Sequence, residues 1–361
     1  MKKIVFRVDA SKKIGAGHLM RCIALATEIM KANIEIFFLT RNIPKSYLNL
    51  LSETGISCFE LCSRSEDLYD DQWLGVSQGE DANECMSILE RLDCDLLVID
   101  HYGLDHEWEL NMRPFTKKIL VIDDLANRLH DCDFLLDQNY YVDMRKRYSC
   151  KVSTECTLLL GPEFALLKKE FREMHRNITL RRSIKTILVS LGGVDANNFT
   201  TTTLLAIAKF GLDKFLVDVV IGTEHPFPEL IVSMCEKFKF NIHIQTGEMA
   251  KLMARADLAI GASGTTTWER CCMGLPSILV TLAENQVKIA RDIHAYGAAI
   301  YIGSEKDVSV NQMFEAIGSI NTGHHKISKL SKAAYALVDG MGTVRVIDKI
   351  GIVNENISIM H

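Results

Sequence analysis

Short runs of apolar and β-branched residues alternate with longer segments of helical period along most of this chain. In the first half the runs cover residues 3–8, 34–39, 96–100, 119–123 and 134–137, with helical segments at 19–31 and 81–91. A second series covers residues 186–191, 217–221, 242–245, 258–261, 277–281 and 299–302. Strands separated by helices pair in parallel, because a parallel crossover needs a long connection. The pattern therefore predicts an α/β protein with parallel sheets.

The segment between the two series, residues 163–182, is charged, has a helical pattern and lacks a strand signal. We place the domain boundary there. The predicted division is an N-terminal Rossmann-like domain (1–165), a linker helix (166–182), a C-terminal Rossmann-like domain (183–345) and a C-terminal tail (346–361). Such folds bind ligands at the carboxyl ends of their strands, so we expect the two sheets to face each other across a ligand-binding cleft.

Charge and hydropathy argue against several classes of protein. The chain has 41 basic and 46 acidic side chains, a net charge of −5, and so lacks the basic excess that a nucleic-acid partner would need. No apolar run approaches the ~20 residues of a membrane span, and the first run is broken by Arg7 and Asp9, too early for a signal peptide. We expect a cytoplasmic monomer without stable membrane association, its eleven cysteines reduced.

Two glycine-rich turns in the second half each follow a predicted strand and precede a predicted helix. They are SLGGVD at 190–195, before a helix that begins near Asn197, and GASGTTTWE at 261–269, where hydroxyl residues are expected to cap the helix. Either turn alone is more typical of a tight connection, but two in one domain can hold a diphosphate on backbone N–H groups. Neither matches the P-loop or GxGxxG, so ATP and NAD are not favoured. The expected ligand-binding residues are Gly192, Gly193, Ser263, Gly264, Thr265 and Thr266.

Glu269 lies a few residues into the helix after the second turn. Its carboxylate could accept hydrogen bonds from both ribose hydroxyls of a nucleotide, as acidic residues do in dinucleotide-binding folds. The alternative interpretation is a first-turn glutamate that complements the helix dipole.

The sequence GAGHLMRC at 15–22 places His18 at the start of a helix, directly after the first predicted strand. A helix N-terminus favours the neutral imidazole, which can act as a base near pH 7. The alternative is that His18 caps the helix or packs beside Arg21. The flanking glycines favour the catalytic interpretation.

Six motifs in order carry a resemblance to a known family. They are GAGHLMR (15–21), DHYGLD (100–105), DDLA (123–126), SLGGVD (190–195), GASGTTTWER (261–270) and LAENQ (282–286). Together they resemble the PseG family, the UDP-sugar hydrolases of pseudaminic acid biosynthesis. That family is similar in architecture to MurG, the GT-B glycosyltransferase of lipid II synthesis. The resemblance covers about residues 1 to 345 and implies a GT-B fold.

The resemblance also implies an activity and a site. The activity would be hydrolysis of UDP-2,4-diacetamido-2,4,6-trideoxy-β-L-altropyranose to UDP and the free sugar, without metal or other cofactor. His18 corresponds to the base, Tyr102 to a hydroxyl that contacts the substrate, and Asn285 to a polar residue of the active cleft. Glu269 and the glycine turns correspond to the UDP-binding groups, and Gly17 and Arg21 of the first motif are counted with the substrate-binding residues.

The chemistry of the departing group leaves the type of reaction open. A nucleoside diphosphate leaves well unprotonated, so one base suffices, and water attack at C1 would invert the sugar. The same site could serve a UDP-sugar glycosyltransferase in which an acceptor hydroxyl replaces water, or a non-catalytic nucleotide-sugar binding protein. The histidines and aspartates at 101–106 and 123–124 lack a recognised ligand spacing such as HExxH, so we expect no metal requirement.

Overall fold

The structure is a computed structural model that describes residues 2–11, 14–62, 73–322 and 324–352. Contacts divide the chain into two compact units. The first contains the described residues of 1–139, 143–168 and 341–352, and the second contains Tyr140–Val142 and Lys169–Gly340. Each unit has its own parallel sheet with helices, which confirms the predicted class of two Rossmann-like α/β domains.

The first unit contains a seven-stranded parallel sheet in the order β3-β2-β1-β4-β5-β6-β7. Its strands are β1 (Lys3–Val8), β2 (Glu35–Thr40), β3 (Ser57–Glu60), β4 (Leu96–Asp100), β5 (Ile119–Ile122), β6 (Phe134–Asp137) and β7 (Thr157–Leu160). Its helices are α1 (Gly17–Met30), α2 (Lys45–Glu53), α3 (Gln78–Leu92), α4 (His106–Met112) and α5 (Met144–Arg147), with short 3₁₀ turns at Arg113–Phe115 and Pro162–Phe164.

The apolar runs become central strands because both faces of the sheet are covered. Ile4, Val5 and Phe6 of β1 are all fully buried, as expected for a parallel strand between layers of helices. The apolar face of α1, including Leu19 and Ile29, packs into the same core as Ile4 and Phe6. Burial of these side chains fixes the start of α1 at the carboxyl end of β1.

The second unit contains a six-stranded parallel sheet in the order β10-β9-β8-β11-β12-β13. Its strands are β8 (Thr186–Ser190), β9 (Leu216–Ile221), β10 (Asn241–Ile244), β11 (Leu258–Ala262), β12 (Ser277–Thr281) and β13 (Ile300–Ser304). Its helices are α6 (Lys169–His175), α7 (Phe199–Ala208), α8 (Pro228–Phe238), α9 (Met249–Arg255), α10 (Thr266–Cys272), α11 (Asn285–Tyr296), α12 (Val310–Asn321) and α13 (His324–Leu337). None of the helices in the described ranges has the length and apolarity that a membrane span requires.

The last described helix, α14 (Gly342–Ile350), departs from the predicted domain division. We assigned residues 183–345 to the C-terminal domain and 346–361 to a tail, but residues 341–352 belong to the first unit. The reason is an apolar face formed by Val346, Ile347 and Ile350, which is buried in the core that contains α1. The linker prediction also differs, because only Lys169–His175 of residues 166–182 is α-helical, and it belongs to the second unit.

Two strands of the first unit were not predicted, and both are edge strands. β3 has the sequence SCFE and is mostly exposed, so it shows no apolar run. β7, TLLL, follows a polar segment at 153–156, and four residues do not reveal a period. Because an edge strand buries less surface, its sequence carries a weaker signal.

Candidate active site

In each unit the predicted site residues lie at the carboxyl edge of the sheet, where the strand order reverses. In the first sheet this point lies between β1, which is followed by Gly17, His18 and Arg21, and β4, which is followed by Tyr102. In the second it lies between β8 and β11, the strands that precede the two glycine turns. Ligands of open α/β sheets bind at such topological switch points.

His18 is held by a carboxylate that comes from the neighbouring strand. Its Nδ1 lies 2.5 Å from Oδ1 of Asp100, the last residue of β4. We assign the Nδ1 proton to this contact, which leaves Nε2 as the nitrogen that can accept a proton. In the sequence Asp100 belongs to the DHYGLD motif, and nothing in that motif links its carboxylate to His18. The pairing of β1 with β4 brings its carboxylate to His18 across 82 residues of sequence.

Arg21 lies one helical turn after His18 and binds the same carboxylate. Its Nε and Nη2 each donate to Asp100 at 2.6 Å, and Nη2 is also 3.1 Å from His18 Nδ1. Burial would raise the pKa of Asp100, but the charge of Arg21 and the hydrogen bonds from Arg21 and His18 hold it well below its usual range. Asp100 is therefore a carboxylate at neutral pH. We expected Arg21 to bind substrate. In the structure its guanidinium is already bound to Asp100.

Tyr102 and Trp73 form one wall of a small recess beside His18. The rings of Tyr102 and His18 are perpendicular, with centroids 4.5 Å apart, and the rings of Trp73 and Tyr102 are nearly perpendicular, with centroids 5.3 Å apart. The recess is lined by Ile14, His18, Trp73, Asp100, His101 and Tyr102. Trp73 is 42% exposed, and it could not be predicted as a site residue because no motif surrounds it in the sequence.

The phenol of Tyr102 is hydrogen-bonded to Asp124, which also accepts from Arg21 at 3.3 Å. Burial and then the charge of Asp124 raise the pKa of Tyr102 above its usual value, so the phenol stays protonated. His101, the preceding residue, has its Nδ1 3.0 Å from the N–H of Gly103 and its Nε2 3.1 Å from Asp9. These two contacts hold the loop that presents Tyr102.

A further carboxylate at the same sheet edge, Asp137, ends β6. It accepts from the N–H of Asn139 and from the hydroxyl of Tyr148, both at 3.0 Å. Burial, and after it the negative charge of Asp124, raises the pKa of Asp137 to about 7. A carboxyl whose pKa is higher in the folded state than in the unfolded state, about 3.9, costs stability as pH rises between those values.

We expect Asp137→Asn to raise the melting temperature at pH 8 by roughly 3 °C or more and to change it little at pH 4. The asparagine oxygen can still accept from Asn139, and the variant avoids ionising a buried acid. Differential scanning calorimetry at the two pH values measures the effect. Asp93→Asn is the control, because Asp93 is exposed and has a left-handed backbone conformation at the end of α3. Its substitution should shift the melting temperature by the same amount at both pH values. A shift for Asp137→Asn that is also the same at both pH values would contradict the interpretation.

Among the residues that the structure describes, no three His, Cys, Asp or Glu side chains are grouped so that they could hold a metal ion. The absence of a metal requirement stays a prediction.

The first glycine turn of the second unit differs from expectation at its helix. We expected the first amides of α7 to receive phosphate, with the helix beginning near Asn197. Instead α7 begins at Phe199, and the carboxylate of Asp195 accepts from the N–H groups of Phe199 and Thr200, both at 2.9 Å. The chain's own anion thus occupies this helix end.

The backbone of this turn depends on two glycines, Gly192 within the turn and Gly222 beside it. Gly192 has a φ of +96°, which side-chain-bearing residues rarely adopt. The carbonyl oxygen of Gly193 lies only 2.3 Å from where a Cβ of Gly222 would be. Gly192 is exposed and Gly193 is half-buried, so a ligand at this turn could contact the backbone of both.

The second turn also departs from expectation in its side chains. Ser263 is fully buried and its N–H donates to Val280 at 3.2 Å, because it continues the pairing of β11 with β12. Thr265 makes no capping bond through its side chain, although a hydroxyl cap was expected. The hydroxyls of Thr266 and Thr267 accept instead from Arg270, at 3.2 and 2.9 Å. The half-buried Gly264, Thr265 and Thr266 are the residues of this turn that reach the surface.

Glu269 and Asn285 lie near this edge on two successive helices. Glu269 is half-buried at the fourth position of α10. Asn285 is exposed and begins α11, after the strand β12 that pairs with β11. The structure therefore places Gly192, Gly193, Gly264, Thr265, Thr266 and Asn285 after three adjacent strands, β8, β11 and β12.

Comparison with known proteins adds a domain family and a fold. Residues 186–343 match the glycosyltransferase family 28 C-terminal domain. The structure of MurG from Acinetobacter baumannii aligns with a TM-score of 0.66 at 14% identity, covering 97% of this chain and 99% of that one. The fold is GT-B.

Relatives by sequence carry different names. The chain is 28% identical to UDP-2,4-diacetamido-2,4,6-trideoxy-beta-L-altropyranose hydrolase of Campylobacter jejuni, over 72% of this chain and 85% of that protein. It is 28% identical to spore coat polysaccharide biosynthesis protein SpsG of Bacillus subtilis, over 70% and 75% respectively. It is also 24% identical to the uncharacterized protein MJ1062 of Methanocaldococcus jannaschii, over 79% of this chain but only 56% of that protein.

Proposed function

We propose that this protein hydrolyses UDP-2,4-diacetamido-2,4,6-trideoxy-β-L-altropyranose to UDP and the free sugar. His18 takes a proton from a water molecule, whose oxygen bonds to C1 of the sugar. The bond from C1 to the diphosphate oxygen breaks, its electron pair leaves with UDP, and the sugar inverts. UDP is a stable anion, so no general acid is required, and base assistance is typically worth ~10² to 10⁴-fold.

The observation that carries this proposal is the pair formed by His18 and the buried Asp100 at the recess. A carboxylate bound to one imidazole nitrogen fixes the tautomer and stabilises the imidazolium that forms when the other nitrogen takes a proton. Among the described residues, no hydrogen bond occupies Nε2 of His18. A protein that only binds a nucleotide sugar has no need of such a pair.

For the second unit we propose that it binds UDP. Backbone N–H groups of Gly192, Gly193, Gly264 and Thr265 stabilise the departing diphosphate, and one well-placed donor can be worth about 3 kcal/mol. Glu269 accepts from the ribose hydroxyls, and Asn285 contacts the sugar nucleotide. The matched family 28 domain, which covers both turns, supports this assignment.

A glycosyltransferase is the second candidate, because the C-terminal match is to a glycosyltransferase domain and MurG shares the fold. In that case an acceptor hydroxyl takes the place of water at C1. The C. jejuni relative favours water, since it is named a hydrolase and aligns with 72% of this chain.

The deciding experiment incubates the purified protein with this UDP-sugar in ¹⁸O-labelled water, with no acceptor present. We expect UDP to be released and the label to appear at C1 of the free sugar, with inverted configuration by NMR. UDP release only on addition of a hydroxyl acceptor would identify a transferase. Binding without release would identify a protein that only binds the nucleotide sugar.

A further inference from the structure

Arg270 of α10 is a buried cation that none of the proposed catalytic steps uses. Its side chain is 2% exposed. Its Nη2 donates to the carbonyl of Ala262 at 2.7 Å and to the hydroxyl of Thr267 at 2.9 Å, and Nη1 donates to the hydroxyl of Thr266 at 3.2 Å. The guanidinium therefore holds the turn of residues 261–267 in place through three hydrogen bonds from the buried side.

The same group lies close to the strand that precedes the other glycine turn. A Cβ on Gly261 would be 2.5 Å from Arg270 Nη1 and 2.6 Å from the carbonyl oxygen of Ser190. Gly261 pairs with Ser190 in the parallel register of β11 and β8. Only a glycine at 261 admits the guanidinium here, between the ends of the two strands that lead into the proposed diphosphate-binding turns.

Arg270 lacks the counter-charge that the buried Arg7, Arg21 and Arg41 each have in an aspartate. Among the described residues, its hydrogen-bond partners are all uncharged, no carboxylate oxygen lies within 4.0 Å, and its Nε has no partner. Glu269 acts on it only as a longer-range charge. Burial lowers the pKa of Arg270 to about 10, so it remains charged at neutral pH.

Arg181 shows how this unit otherwise accommodates a buried guanidinium. Its nitrogens donate to five backbone carbonyls, those of Thr179, Met253, Ala254, Ala256 and Met273. Burial lowers the pKa of Arg181 to about 10 as well. Arg181 is therefore a matched control, because it is also buried and without a carboxylate at bonding distance but is fully hydrogen-bonded.

We propose that Arg270 is the cation that attracts the diphosphate of the nucleotide sugar to the two glycine turns. It acts through the turn of residues 261–267 and does not touch the ligand, so it is a positioning residue. A buried charge without a counter-ion is costly, and a bound dianion supplies the missing charge where water screens little. This inference rests on the proposed UDP site.

The test compares UDP with uridine, which lacks the diphosphate, by calorimetric titration. We expect Arg270→Met to weaken UDP binding about tenfold to thirtyfold and uridine binding less than about twofold. Arg270→Lys, which keeps the charge, should retain most of the preference for UDP. Arg181→Met should lower the melting temperature and leave the ratio of the affinities for UDP and uridine unchanged.

The outcomes separate this inference from the proposed function. Wild-type protein that fails to bind UDP would overturn both. Wild-type protein that binds UDP, with an unchanged ratio in Arg270→Met, would overturn only the role of Arg270. If Arg270→Met does not fold, Arg270→Lys decides. If Arg270→Lys binds UDP no more tightly than uridine, the hydrogen-bonding geometry of the guanidinium matters and its charge does not, and the inference is overturned.

Discussion

Replacing His18 with asparagine should reduce the rate of UDP release by about 10² to 10⁴-fold, the usual worth of general-base assistance. An asparagine amide can still contact Asp100, so Arg21 is not left beside an unfilled space, but an amide cannot take a proton from water. The UDP-binding residues that we propose belong to the second unit and are unchanged. We therefore expect the affinity for UDP to stay within about twofold of wild type.

The measurement pairs initial rates of UDP release with calorimetric titration of UDP. His106→Asn is the control, because His106 begins α4 and its imidazole is partly exposed, 3.8 Å from Asp105 and outside the recess. It should retain the wild-type rate. An unimpaired rate in His18→Asn removes the assignment of the base, whereas a parallel loss of rate and UDP affinity would indicate that the substitution disturbed the fold.

Local sequence was sufficient to predict the class of fold and most of the strands. Buried parallel strands are apolar on both faces, so β4 and β8 are visible as apolar runs that each end at a turn, and β1 as a run interrupted only by Arg7. The position of a motif after such a run then implies the carboxyl edge of a sheet. That is why His18 and the glycine turns could be placed before their neighbours were known.

Contacts between distant segments could not be predicted in the same way. Asp100 reaches His18 only because β4 pairs beside β1, and strand order is not encoded in either segment alone. α14 shows a similar limit, since its apolar face is evident but its partner α1 lies more than 300 residues earlier.

Competition between equivalent side chains explains the errors at the two turns. Asp195, Asn197 and Asn198 could each cap the helix that follows the first turn, and the structure uses Asp195 in a left-handed conformation with φ of +44°. At the second turn the threonine hydroxyls were expected to cap α10, but a charged guanidinium is the stronger partner for two of them. Capping propensity indicates which residue types suit such positions, but it does not predict which of several suitable residues will form the cap.

Asp100→Asn should have the second large effect, a loss of about 10² to 10⁴-fold in kcat with a smaller change in KM. The carboxylate holds the Nδ1 proton of His18, and a neutral amide can bind the other tautomer equally well. In serine proteases, replacing the aspartate that orients the catalytic histidine with asparagine costs about 10⁴-fold in kcat, which sets the upper end. The tautomer of His18 is read directly by ¹⁵N NMR, and we expect Nδ1–H in wild type and a mixture in the variant.

Loss of stability must be separated from loss of the dyad, because Asp100 also pairs with the buried Arg21. Removing one partner of a buried ion pair costs about 3–5 kcal/mol. Asp81→Asn is the matched control: Asp81 is fully buried, accepts from Arg7 and Arg41 at 2.7 and 3.0 Å, and does not line the recess. It should lose comparable stability and keep the kcat of the folded protein. If both variants lose kcat equally, Asp100 acts only through the fold, because a carboxylate that orients His18 must affect catalysis beyond its contribution to stability.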